Sequence, residues 1–192
     1  MNRPLPNRRS IRLQGYDYSG EGLYFVTICA QDMKCLFGKV VNNNSIKTGE
    51  NVGAGFYSAQ DNHHPFIQLS EIGKIIHKEW LELKIRFVDI ELYEFVIMPN
   101  HFHGIIEVRV EQSPTLTLGD IICAFKSLTT KKVNQINNTP GDKLWQRNYY
   151  EHIIRNSTSY MNIAKYIQSN PANWATDDYY SPTDNCLQTT TN

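Results

Sequence analysis

Glu94-Phe-Val-Ile-Met-Pro-Asn-His-Phe-His-Gly-Ile-Ile-Glu107 holds two apolar runs on either side of Pro99-Asn100. Pro-Asn is turn chemistry. The run before it, 88–98, alternates and then becomes wholly apolar, as a strand entering the middle of a sheet does. The run after it starts at His101 and continues to Val110. The pair reads as a β-hairpin. Side chains two apart on a strand share a face, so the imidazoles of His101 and His103 project side by side. Such a pair can be two donors to a metal. It can equally be two ordinary strand residues near a turn, and the spacing alone leaves both open.

Working outward, Leu23-Tyr-Phe-Val-Thr-Ile-Cys-Ala30 is aromatic and β-branched, and reads as an earlier strand. Between it and the hairpin lies a helix. Ser70 is placed to cap it, Ile72, Ile75, Ile76, Trp80 and Leu83 follow at helical spacing, and it ends near Arg86. Residues 41–64 are polar and rich in Asn and Gly, a long connection or a short hairpin insertion peripheral to the core. After the hairpin, Leu118, Ile121, Ile122, Phe125, Leu128 and Ile136 mark a second amphipathic helix. Tyr149-Tyr-Glu-His-Ile-Ile-Arg155 reads as a fourth strand, and a last helix runs from about Ser157 until Pro171 stops it.

The order β-α-β-β-α-β-α places the chain in the α+β class. The first six elements form a ferredoxin-like (or RRM-like) antiparallel four-stranded sheet, with two helices on one face. In that topology the first and third strands are central. Phe102, Ile106 and Val108 then face the helices, while His101 and His103 face the open side, where the seventh element can lie. The expected organisation is one domain over residues 1–192, with 177–192 as a flexible tail, since that segment holds acids and no Lys or Arg.

Bulk properties narrow the partners. The formal net charge is zero, against a non-specific nucleic-acid coat. No stretch approaches the ~20 apolar residues that span a bilayer, and the first ten residues lack a signal core, so a cytoplasmic protein is expected. Cys29, Cys35, Cys123 and Cys186 form no C-x-x-C pair and read as incidental thiols.

The last helix carries the decisive chemistry. Tyr166 and Asn170 are four apart and share a face. If that face meets the open sheet, a phenol and an amide oxygen join two imidazoles. A set without thiolates suits Mg²⁺ or Mn²⁺, with phosphate and water completing the shell, although imidazoles also admit Zn²⁺, Co²⁺ or Ni²⁺. A phenol activated beside such a cation can attack a DNA phosphate and form a phosphotyrosine ester.

Arg8-Arg-Ser-Ile-Arg-Leu-Gln-Gly-Tyr16, Tyr24-Phe-Val-Thr-Ile28, Phe95-Val-Ile-Met-Pro-Asn-His-Phe-His-Gly104, Phe125-Lys-Ser127, Leu144 to Arg155 and Tyr166-Ile-Gln-Ser-Asn-Pro171 occur in that order. Together they resemble the single-tyrosine HUH (His-hydrophobe-His) transposases, the IS200-like family, and especially its REP-associated tyrosine transposase branch. The resemblance covers roughly residues 8–175. It implies that His101, His103 and Asn170 hold a divalent metal, Mg²⁺ or Mn²⁺. It implies that Tyr166 is the nucleophile and that single-stranded DNA beside a hairpin is the substrate, with the enzyme left on the 5′ phosphate. It admits a homodimer or a monomer. Arg8, Arg9, Arg12, Lys126, Arg147, His152 and Arg155 are the candidate DNA contacts, and Trp145 either stacks an unpaired base or closes the core. The competing reading is a nucleic-acid-binding regulator of the same fold that has lost catalysis, for which the intact quartet would serve no purpose.

Overall fold

The computed structural model describes residues 21–41, 65–109 and 116–180. Arg8, Arg9 and Arg12, nearly all of the 41–64 insertion and the tail beyond residue 180 lie outside them.

Among the described residues six strands and three α-helices follow in order: β1 (Gly22–Cys29), β2 (Gly38–Val41), β3 (Phe66–Leu69), α1 (Glu71–Arg86), β4 (Ile90–Ile97), β5 (His101–Val108), α2 (Leu118–Asn137), β6 (Tyr150–Ile154) and α3 (Ser157–Ser169). The main sheet has the strand order β4-β5-β1-β6, antiparallel throughout, with β1 and β5 central. This is the expected ferredoxin-like arrangement. A separate two-stranded sheet, β2 with β3, borders the insertion. It was not readable as strands, because each member has only four residues and no stripe of alternation.

Both faces of the central strands are covered, which is why their sequences read as continuous apolar runs. On one face Tyr24, Val26, Ile28, Phe102, Ile106 and Val108 pack against α1 and α2. Trp80 is the hub, with ring centroids 4.5 Å from Phe102 and 5.3 Å from Phe125. Gly104 leaves room for it: a Cβ there would come within 2.8 Å of the Trp80 ring. On the other face α3 sets Ala164 and Ile167 against Phe25, Ile105 and Ile154. Among the described residues no helix is long and apolar enough to cross a membrane.

The start of α1 is bolted to the strand region before it. The Ser70 hydroxyl donates to Leu36 O at 2.6 Å and accepts from Gly73 N at 3.1 Å. An ideal Cβ on Gly73 would sit 2.0 Å from the Phe37 carbonyl oxygen, a backbone atom that cannot swing aside. Gly73→Ala is therefore expected to cost about 1–3 kcal/mol. At about 2–4 °C per kcal/mol for a domain of this size, the melting temperature falls by roughly 2–12 °C. Differential scanning calorimetry measures it, and an unchanged midpoint would show that the contact relaxes freely.

α3 ends at Ser169, before Pro171, as expected, but the chain does not unwind there. Asn170 stays in the right-handed helical region (φ −57°, ψ −43°), and the chain tightens into a 3-10 segment, Asn170–Thr176, with the proline in its first turn. Proline is tolerated there because the first-turn N–H groups lack helical partners in any case. Residues 177–180 are not loose tail: Trp174, Tyr179 and Tyr180 pack with Ile67 and Met98. Cys35 is disulfide-bonded, whereas Cys29 and Cys123 are free. Spacing cannot reveal a pairing between distant cysteines.

Candidate active site

His101 and His103 lie side by side on the α3-covered face of β5, with ring centroids 4.5 Å apart. Both are buried, at 0% and 1% exposure. Each ring has its Nδ1 taken by a neighbour. Thr27 Oγ1, directly across on β1, lies 2.8 Å from His103 Nδ1. Asn100 Oδ1 lies 2.9 Å from His101 Nδ1, while the Asn100 amide N–H donates to Tyr179 O at 2.8 Å. That second bond fixes which end of the amide is the oxygen. His101 must then donate from Nδ1, which leaves its Nε2 lone pair free. Orientation of a ring through Nδ1 is what a metal-ligating histidine needs. Burial drives the pKa of His103 down to about 3, and holds His101 well below the ordinary range, with a smaller push from His103. Both rings are therefore neutral, the form that binds cations.

Above them α3 and the 3-10 segment bring Tyr166 and Asn170. Ile167, next to the tyrosine, is locked in the apolar layer on one side, and Trp174, four residues past Asn170, on the other. The Tyr166 hydroxyl is 3.2 Å from His103 Nε2, and the two ring centroids are 5.2 Å apart. Tyr166 is 43% exposed, so part of the side chain reaches solvent while its hydroxyl meets the imidazole. Its pKa is raised, first by burial and then by the Asp177 carboxylate, while the Asn170 amide pulls the other way. Asn170 donates from Nδ2 to Asp177 Oδ2 at 3.2 Å.

Two acceptors at the site are left over. Among the described residues His101 Nε2 and Asn170 Oδ1 are buried and have no hydrogen-bond partner. Orphaned buried acceptors carry a desolvation penalty of ~1–3 kcal/mol each, and a bound cation would relieve it. Among the described residues no three His, Cys, Asp or Glu side chains gather where they could hold a metal ion. A cation here would rest on two imidazoles and an amide oxygen, with open positions for phosphate and water. That set fits Mg²⁺ or Mn²⁺ and also admits Zn²⁺.

The other expected site residues are placed as follows. Arg147, His152 and Arg155 are exposed on or beside β6. Lys126, on the helix-covered face, donates from Nζ to Gln146 O and Arg147 O at 2.7 and 2.8 Å, and so tethers the lead into β6 in place of standing free for DNA. Trp145 closes the core, its Nε1 donating to Thr129 Oγ1 at 2.8 Å. Thr27, Asn100, Asp177 and Tyr179 were not anticipated. Tyr179 lays its ring 4.6 Å from that of His101. Thr27 becomes visible only once the β1–β5 register is known, and Asn100 had read as a turn residue.

Comparison with known proteins adds three findings. The family model described as "Transposase IS200 like" matches residues 62–170, more than half of the chain. An uncharacterised protein of Haemophilus influenzae is 36% identical over 197 residues, spanning 93% of this chain and 96% of its own length. Among solved structures, a REP-associated tyrosine transposase bound to a REP hairpin superposes with a TM-score of 0.56 at 15% identity. That match covers 88% of this chain and 76% of the other, and it is a likeness of fold.

Proposed function

This chain belongs to the IS200-like transposase family, and from that premise we propose that it is a metal-dependent single-strand DNA endonuclease and strand transferase whose nucleophile is Tyr166. His101, His103 and Asn170 would hold the divalent ion, Mg²⁺ or Mn²⁺. One juxtaposition carries the reading: the Tyr166 hydroxyl stands 3.2 Å from His103 Nε2, and the His101 Nε2 and Asn170 Oδ1 acceptors are buried without a hydrogen-bond partner among the described residues.

The step is a phosphoryl transfer. The Tyr166 oxygen forms a bond to the scissile phosphorus, and the phosphorus–O3′ bond breaks. The 3′ oxygen leaves as a hydroxyl after taking a proton from water, and the phenol proton passes to solvent through the exposed side of the ring. The 5′ phosphate stays on the tyrosine as an ester. That ester keeps the reactivity of the broken linkage, so a 3′ hydroxyl can reverse the step without ATP. A divalent ion in the cradle supplies positive charge that lowers the phenol's pKa and neutralises the phosphate. The protein supplies orientation: Thr27 and Asn100 aim the imidazoles, and Asp177 aims the Asn170 amide.

Hairpin DNA is the proposed partner, on two supports. The fold-related REP-associated transposase is bound to a REP hairpin. Arg147 and Arg155 also bracket β6 with exposed positive charge, suited to backbone phosphates.

The test is a labelled hairpin with single-stranded flanks, incubated with protein and Mn²⁺ and run on a denaturing gel. A protein-linked DNA band is expected with Mn²⁺ and none with EDTA. An equal yield in EDTA would remove the metal from the account. Asp177→Ala frees the Asn170 amide to turn, so Mn²⁺ affinity measured by isothermal titration calorimetry is expected to fall about 10- to 100-fold. Unchanged affinity would show that Asp177 does not position the ligand.

A further inference from the structure

Tyr166 does not stand alone on its face of α3. Asn162 is four residues before it and Ser159 seven before, so one polar stripe runs along the helix from Ser159 through Asn162 and Tyr166 to Asn170. Tyr166 and Asn170 belong to the site described above. Ser159 and Asn162 instead line a groove between α3 and β6, a cavity of about 520 Å³ whose other walls include Phe25, Tyr150 and His152. This volume lies within the ~300–1,000 Å³ of small-ligand sites.

The aromatic floor connects the groove to the chemistry. Phe25 stacks on His103 at 5.3 Å and meets Tyr166 edge-on at 6.2 Å. It also meets Tyr150 edge-on at 6.4 Å. Phe25 is nearly covered, but Tyr150 is 43% exposed and offers its ring to solvent. His152, two residues on, shares the face of Tyr150. β6 is the edge of the sheet, and exposed Arg147 and Arg155 flank it in sequence. Aromatic faces beside positive charge are how single-stranded nucleic acid is held without sequence-specific pairing.

We propose that this groove seats a nucleobase of the single strand that leads to Tyr166, stacked on Tyr150 and met at its edge by Asn162. The proposal rests on the reading that Tyr166 cuts single-stranded DNA, and it adds where that strand lies. An amide has both donors and an acceptor, so Asn162 can meet the polar edge of a base that an aliphatic wall could not.

The test is fluorescence anisotropy of the full-length protein in EDTA, so that no cleavage intervenes. The probes are dye-labelled dT10 and the same ten-unit backbone made abasic. Wild type is expected to bind dT10 about 5- to 150-fold more tightly than the abasic strand, the range of one stacked base. Tyr150→Ala is expected to weaken dT10 to near the abasic level and leave the abasic strand unchanged. Asn162→Leu, on the opposite wall, is expected to weaken dT10 as well, and stands in should Tyr150→Ala fail to fold. Either folded variant binding dT10 as tightly as wild type overturns the groove. The Mn²⁺ adduct assay separates the two readings. Adducts with wild-type dT10 affinity in both variants sink the groove alone. Lost dT10 affinity in a protein that forms no adduct upholds the groove and sinks the cleavage reading.

Discussion

Tyr166→Phe is expected to abolish the protein–DNA adduct while leaving the fold and the cation cradle intact. The substitution removes one oxygen. The ring keeps its place above Phe25 and beside His103, and neither Ile167 nor Ala164 loses its packing. That hydroxyl lies 3.2 Å from His103 Nε2, and the phenol is partly exposed, so folding stability changes little. The chemical loss is of a different order, because removing a covalent nucleophile can remove on the order of 10⁶ in turnover. The measurement is adduct yield over time beside a Mn²⁺ titration of the same variant. Adducts at the wild-type rate would move the nucleophile elsewhere. Among the described tyrosines the nearest rival is Tyr179, its ring 6.2 Å from that of His103.

His101→Ala is expected to remove the response to metal and most of the cleavage. Its Nε2 is buried and has no hydrogen-bond partner among the described residues, and its Nδ1 is already committed to Asn100. Alanine deletes the ligand and also strands the Asn100 oxygen, so a modest loss of stability comes with it. In the wild type, Mn²⁺ at about 100 times its Kd should stabilise the fold by about 2.7 kcal/mol. For a domain of this size that is roughly 5–11 °C in melting temperature. The variant should show no such rise. Cleavage should fall about 10²- to 10⁴-fold, since a Lewis-acid cation supplies several kcal/mol at 1.36 kcal/mol per decade. A variant that keeps the full thermal response would show that the ion binds elsewhere.

The sheet and helices were legible because each obeys one period. The alternation around β5 and the apolar spacing of α1 and α2 need no long-range information. The same holds for the paired imidazoles, which share β5, and for Tyr166 with Asn170, four residues apart where α3 runs into the 3-10 segment. What joined them was not legible. That His103 faces Thr27 is a matter of strand register, and register is set by partners far apart in the chain. Asp177 and Tyr179 reach the site because the chain continues through the 3-10 segment after Pro171, which local rules read as a stop. Lys126 had read as a free cation because a backbone carbonyl twenty residues away leaves no mark on the sequence around it. With Lys126 tethered, Arg147 and Arg155 are the exposed basic groups that flank β6 in sequence.

One measurement meets the central claim head on. After reaction of the full-length protein with the hairpin substrate and Mn²⁺, nuclease and trypsin digestion followed by tandem mass spectrometry locates the residual nucleotide. The account predicts a 5′-phosphonucleotide mass on the peptide containing Tyr166, at that residue. The same mass on Tyr149, Tyr150 or Tyr179, with Tyr166 unmodified, would contradict it.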